Sequence, residues 1–169
     1  IMLSIDALAE RNKYIRYPSD WKTILRNINH FKQMSDAKSS IVHFIAPTPQ
    51  LLNVDQLTEM ALYFQDNGNP LSFNPDVVSP KILDYKYFPF EYKKIVITKL
   101  QKNLTLVQNS ITREAIERII EVLKHDADHD EIKQNCFNFV KYNDHMDKFR
   151  KTDSWRDLLP DLASVLDNL

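Results

Sequence analysis

Ile1-Met2-Leu3-Ser4-Ile5-Asp6-Ala7-Leu8 opens the chain, and the reading of this apolar run decides the fold. Taken as a strand, it starts at the first residue without an initiator Met, as the middle of an α/β domain would. Alternate strand residues point the same way, so Ser4 and Asp6 fall on one face. The chain is therefore expected to be the later part of a larger protein.

Working outward, Trp21, Ile24, Leu25, Ile28 and Phe31 recur at three- and four-residue spacings. That period predicts an amphipathic helix from about Asp20 to Met34, capped by Ser19, with Lys22, Arg26, Asn29 and Lys32 on the opposite face. After a polar break at 35–40, Ile41-Val42-His43-Phe44-Ile45-Ala46 is a short β-rich run closed by Pro47 and Pro49, as suits a strand buried on both faces. Asn53 or Asp55 opens a second helix, Val54 to Gln65, which Asn67-Gly68-Asn69-Pro70 stops. Leu71-Ser72-Phe73-Asn74-Pro75 reads as a third strand. The order β-α-β-α-β predicts a parallel sheet with right-handed crossovers, half of a partial β/α barrel over residues 1–89.

Residues 76–89 are rich in proline and aromatics without a period and read as an irregular connection. Beyond them every segment reads helical: Phe90 to Asn103, Thr112 to His125 with a Thr cap, Asp130 to Lys151, and a last helix from Ser154 to Asn168 that must accommodate Pro160. Residues 90–169 are thus expected to form a helical C-terminal extension.

Composition limits the function classes. With 22 basic and 23 acidic residues the net charge is −1, so no global field recruits nucleic acid or an anionic membrane surface. A single cysteine, Cys136, allows neither an intrachain disulfide nor a multi-cysteine metal site, which points to a reducing compartment. No run approaches the roughly 18 apolar residues that a membrane span needs. A cytoplasmic protein is expected. Gly68 is the only glycine, and phosphate-cradling loops need several, which excludes Walker A and dinucleotide-fingerprint readings.

Several groups of residues have both a chemical and a structural reading. Ser4 and Asp6, read by themselves, are polar residues at a strand end that cap the next loop. Arg16, read by itself, is a surface arginine ahead of a helix. Asn53 caps a helix in either reading, and Asn74 ends the third strand, where a barrel places cleft residues. His125 and His129 stand four apart, as a helical zinc pair would, but without the neighbouring Glu of a metalloprotease helix or an evident third ligand. As a calcium loop the same segment fails, because Glu131 occupies the glycine position and Phe137 that of the bidentate Glu. Cys136, among Asn135, Phe137 and Phe139, reads as a buried small hydrophobe. Tyr85, Tyr87, Phe88, Phe90 and Tyr92 read as fasteners of the proline-rich connection to the core rather than as a stacking platform.

Taken in order, Ser4-Ile5-Asp6, Asn12, Tyr14-Ile15-Arg16, Trp21, Asn27, Asn53 and Phe88-Pro89-Phe90-Glu91-Tyr92-Lys93 resemble the later strands and helices of radical S-adenosylmethionine enzymes, in particular those with a twitch- or SPASM-type extension. Phe139-x2-Tyr142, Asp147-Lys148-x-Arg150 and Leu159-Pro160-Asp161-Leu162 are similar to the closing helices of short members. The resemblance implies a cofactor-binding role for Ser4, Asp6, Arg16, Asn53 and Asn74, with Ser4 and Asp6 toward the ribose and Arg16 toward the methionine carboxylate. It also implies S-adenosylmethionine and a [4Fe–4S] cluster in the full-length protein. The family's Cys-x3-Cys-x2-Cys is absent from this sequence, so this chain alone is expected to bind no cluster, to have no catalytic or metal-ligating residue, and to contribute only part of a cleft. An exposed strand edge at residues 1–8 predicts self-association. The rival expectation is a non-enzymatic α/β interaction module whose helical half binds a protein partner.

Overall fold

The computed structural model describes residues 1–38, 42–76, 79–150 and 153–168. Its β-structure is far smaller than the sequence suggests. The first run contributes only β1, Met2–Leu3, and the second only β2, Phe44–Ile45. The two lie parallel, Met2 opposite Phe44 and Leu3 opposite Ile45. The third expected strand survives as a single parallel bridge between Ile45 and Leu71, held by Ile45 N–H to the Pro70 carbonyl and Ser72 N–H to the Ile45 carbonyl, each at 2.9 Å. Ile41, expected to begin β2, lies outside the described residues.

The half-barrel expectation is therefore corrected: the described chain is mainly helical around a minimal parallel ladder. Polar side chains explain why the strands stop. Past Ser4 the backbone N–H groups of Asp6 and Ala7 donate to Asn12 Oδ1, and Thr48 N–H donates to Asp6 Oδ1. Asn53 Nδ2 donates to the carbonyls of Asp6 and Thr48. These side chains satisfy the backbone groups that ladder partners would otherwise take, so the chain is buried and hydrogen-bonded without being sheet. Ile5 and Ala7 remain buried, in a loop rather than a strand.

The helices follow the hydrophobic spacing more closely. A short helix the period does not announce, α1 (Ala9–Ile15), comes directly after the loop, with Ala9 at φ 47°. Helix α2 (Trp21–Ala37) buries Ile28 and is capped by Asp20, whose carboxylate accepts from Thr23 N–H, and not by Ser19. A 3₁₀ turn at Val54–Gln56 leads into α3 (Leu57–Asp66). Gly68, at φ +70, follows α3, and a Cβ there would meet Lys32 Nζ at 2.8 Å. The only glycine thus serves a left-handed turn that a side chain would strain, with the flexible end of Lys32 packed over it.

The connection at 79–89 contains two 3₁₀ turns, Lys81–Leu83 and Tyr85–Tyr87. Then come α4 (Phe90–Gln101), α5 (Ser110–Leu123), α6 (His129–Arg150), α7 (Trp155–Leu158) and α8 (Pro160–Leu166). Asn109, and not Thr112, caps α5 through Thr112 N–H. Pro160 sits in the first turn of α8, where no intrahelical donor is lost, and so splits the expected last helix in two.

One buried apolar cluster runs from Ile5 and Tyr14 through Ile45, Leu57 and Phe64 to Val96, Ile116, Phe139 and Trp155. Residues on both sides of position 89 contribute to it. Phe88, Phe139 and Trp155 stack edge to face, with ring centroids 5.4 and 5.1 Å apart. The expectation that this connection's aromatics fasten it to the core agrees with the buried Tyr85, Phe88 and Tyr92. No helix among the described residues is long and apolar enough to cross a membrane.

Candidate functional site

Three extended segments end side by side: Leu3-Ser4, Ala46-Pro47-Thr48 and Ser72-Phe73-Asn74. A crevice of about 350 Å³ lies there, lined by Ser4, Thr48, Ser72, Phe73 and Asn74 among others. Ligand crevices in α/β sheets lie beyond the carboxyl ends of parallel strands, and the short ladder reproduces that placement locally.

Beside it stands a polar cluster whose members come from the loop after β1 and the C-cap of α1. Arg16 Nε donates to Asp6 Oδ2 at 2.8 Å, and Arg16 Nη2 donates to Ser4 Oγ. Asp6 is 4% exposed, and its second oxygen accepts from Thr48 N–H at 2.8 Å. The Arg16 side chain is 38% exposed, so it reaches water while holding a buried carboxylate. The structure thus brings Ser4, Asp6 and Arg16 together as one hydrogen-bonded unit, with Ser4 on the crevice wall.

Asn53 and Asn74 have different roles. Asn53 has no exposed surface and is committed to backbone: Oδ1 accepts from Gln50 N–H at 2.8 Å, and Nδ2 donates to Asp6 and Thr48 carbonyls at 2.7 and 2.9 Å. It shapes the site without reaching it. Asn74 is exposed on the crevice rim, and its Oδ1 accepts from Asp76 N–H at 2.9 Å in a local turn.

A second opening borders the cluster on its other side. It measures about 530 Å³ and is lined by Asp6, Tyr14, Arg16, Tyr17, Gln50, Tyr142 and Arg150, with others. Sequence reasoning missed Gln50, Tyr142 and Arg150. Tyr142 and Arg150 lie on α6, more than 120 residues from Arg16, and only the docking of α6 on α1 brings them in. Tyr14 makes that dock: its hydroxyl lies 3.1 Å from Asn143 Oδ1 and donates to Asp147 Oδ1 at 2.7 Å. Burial, reinforced by Asp147, holds the Tyr14 phenol well above its ordinary range.

A separate charged network is centred on Asp55. Asp55, nearly buried, pairs with Arg11 and with Lys99 at 3.0 Å, and Lys99 reaches Asp161 at 2.8 Å. This network ties α1, the turn before α3, α4 and α8 together. Lys93 is fully buried in α4 and donates to the His125 carbonyl at 2.8 Å, so it caps the C-terminal end of α5. Burial lowers its pKa, with Asp126 at 3.6 Å acting in the opposite sense.

His125 and His129 do not share a helix, because α5 ends at Leu123 and α6 begins at His129. Asp128 caps α6 through the N–H groups of Asp130 and Glu131. Among the described residues no three His, Cys, Asp or Glu side chains gather as a metal would require. Cys136 is buried on α6, and burial pushes its thiol up to about 11. A [4Fe–4S] cluster held by three cysteines does not fit a chain with one. The exposed Ser4–Arg16 pair, in contrast, fits the polar end of a small ligand. Compared with known proteins, the chain matches no family model, no curated sequence and no solved structure.

Proposed function

We propose that this chain is the C-terminal part of a radical S-adenosylmethionine enzyme-like protein and supplies one wall of its cofactor and substrate cleft without being catalytically competent alone. The observation that carries the reading is the Ser4–Arg16–Asp6 unit, whose Ser4 lines the crevice at the carboxyl ends of the parallel segments while Asp6 and Arg16 line the neighbouring opening. Ser4 offers a hydroxyl to a ribose-like diol there, and Arg16 holds the buried Asp6 in place while presenting its exposed side to an anionic group. S-adenosylmethionine would be gripped on this wall, and the cluster that reduces it would have to be supplied by cysteines this chain lacks.

The test begins with the native coding sequence upstream of Ile1. An in-frame extension carrying Cys-x3-Cys-x2-Cys, together with anaerobic release of methionine and 5′-deoxyadenosine by the longer protein, is the expected result. Ser4→Ala and Arg16→Ala in that protein should each weaken S-adenosylmethionine binding by about tenfold. A longer protein without the three cysteines, or with undiminished binding in both variants, overturns the reading.

A second reading rests on a separate observation. Ile1, Met2 and Val42 are exposed at 46, 65 and 68%, and among the described residues β1 pairs on one side only. An apolar open strand edge recruits another strand, so the chain self-associates through residues 1–3, or binds a protein partner there as a non-enzymatic interaction module. Light scattering should show a dimer that Met2→Lys returns to monomer. A strict monomer at high concentration excludes self-association.

A further inference from the structure

The opening between α1 and α6 has features that the cofactor reading does not account for. Arg150 Nη1 donates to the Tyr14 carbonyl at 2.7 Å, and its guanidinium lies 5.6 Å from the ring centroids of both Tyr14 and Tyr17. Among the described residues no carboxylate pairs with it. Asp147, one turn earlier on α6, is already engaged by the Tyr14 hydroxyl, Ser154 Oγ and Trp155 N–H. The cleft wall therefore carries two guanidinium groups, Arg16 and Arg150, against the single carboxylate of Asp6.

Gln50 supplies a second, independent observation. It is 9% exposed, it lines the same cleft, and its Oε1 is buried without a hydrogen-bond partner. A buried acceptor left unpaired is costly, so such an atom marks a place where a donor belongs. Tyr17 and Tyr142 line the opening at 44 and 45% exposure and add aromatic surface on which a flat molecule can pack. The volume, about 530 Å³, lies in the range of small-molecule sites.

We propose that the Arg150–Gln50 cleft binds a small planar monocarboxylate that carries an N–H donor, and that this site is distinct from the Ser4 crevice. The carboxylate is taken by Arg150, the N–H by Gln50 Oε1, and the flat body by Tyr17 and Tyr142. The excess of one positive charge on the wall favours a monoanion over a phosphate ester, which is close to dianionic at neutral pH. The assignment stands on the cleft alone and does not need the cofactor reading to hold.

Hippurate, an aromatic amide with one carboxylate, is the probe, and benzoate and inorganic phosphate are its comparators, all titrated into the chain by calorimetry and NMR. Saturable one-to-one binding of hippurate is expected, tighter than benzoate and phosphate. Arg150→Gln should weaken it at least about tenfold, and Gln50→Met should erase the preference for hippurate over benzoate. Tyr142→Ala, on the exposed rim, should weaken hippurate several-fold without changing the melting temperature, and it decides the matter if the other variants misfold. Absence of saturation by about 10 mM hippurate overturns the proposal. So does undiminished binding in folded Arg150→Gln, phosphate binding as well as hippurate, or competitive displacement of hippurate by S-adenosylmethionine, which would make the two sites one.

Discussion

Asn53 Nδ2 lies 2.7 Å from the Asp6 carbonyl oxygen, joining the end of the first extended segment to the turn before α3 across 47 residues of sequence. The same amide satisfies Thr48 and Gln50, so one side chain replaces three backbone partners. Asn53→Ala leaves two buried carbonyls and one N–H without it. The expected loss is about 3 kcal/mol, since each buried unsatisfied group costs roughly 1–3 kcal/mol and the three are coupled. Asn53→Asp should be no better, because a carboxylate cannot donate to two carbonyls. Urea unfolding measures both, and a loss below about 1 kcal/mol for Asn53→Ala would show that the loop finds other partners.

Arg16 and Asp6 differ in exposure, and the consequences of removing them should differ accordingly. Asp6 accepts from Thr48 N–H as well as from Arg16, so Asp6→Ala loses a backbone partner and a charge partner and should cost about 2–3 kcal/mol. Arg16→Gln leaves a buried carboxylate without its cation, a cost of about 1–2 kcal/mol after allowance for the exposed guanidinium. In an Asp6→Asn background the Arg16→Gln change should be nearly neutral. A double-mutant cycle therefore gives a coupling of about 1–2 kcal/mol, and a coupling of zero would make the pair a crossing of two independent side chains.

These contacts also show which parts of the molecule the sequence revealed. The spacing of Trp21, Ile24, Leu25 and Ile28 identified α2, and similar patterns identified α4, α5 and α6, because burying an apolar stripe is a local requirement that the period records. The strands were over-read for the opposite reason. Ile1 to Leu8 has the composition of a strand, but whether backbone groups pair with a ladder or with side chains depends on Asn12, Asp6 and Asn53 reaching them through space. Ser4, Asp6 and Arg16 were each singled out in the sequence, but their hydrogen bonding to one another depends on the loop after β1 folding back on the end of α1. Gln50, Tyr142 and Arg150 were not, because their place at the cleft follows from the Tyr14–Asp147 contact between α1 and α6.

Three buried phenols set the alkaline limit of stability. Burial raises the pKa of Tyr14, with added repulsion from Asp147, and burial likewise raises Tyr85 and Tyr92. Above the ordinary phenol value of about 10, the unfolded chain releases these protons and the folded chain keeps them. Stability attributable to the three groups is thus fully present below pH 10 and lost as pH rises through the higher folded values. Tyrosinate absorbance should rise in two stages, the later one coinciding with loss of helical circular dichroism. Tyr85→Phe, which removes one of the late phenols at the cost of its bond to the Pro75 carbonyl, should soften the alkaline transition. Full tyrosine ionisation with the helical signal intact would refute this account.

Trp155 anchors the chain's C-terminal end to the core more firmly than the shortness of α7 suggests. It has no exposed surface, its ring packs edge to face on Phe139, and its Nε1 donates to Asp144 Oδ1 at 2.8 Å. Asp144 also holds Arg156, whose guanidinium lies 4.4 Å from the Trp155 ring centroid. Replacing a buried indole by alanine opens a large cavity and costs about 3–5 kcal/mol. For a domain of this size that loss corresponds to a fall of about 10 °C in Tm. Trp155→Phe keeps most of the packing and loses the indole N–H bond, so its cost should be about 1–2 kcal/mol, close to that of Asp144→Ala. The contrast separates packing from hydrogen bonding. If the Phe variant is as unstable as the Ala variant, the bond to Asp144 and not the aromatic stack holds α7 and α8 in place.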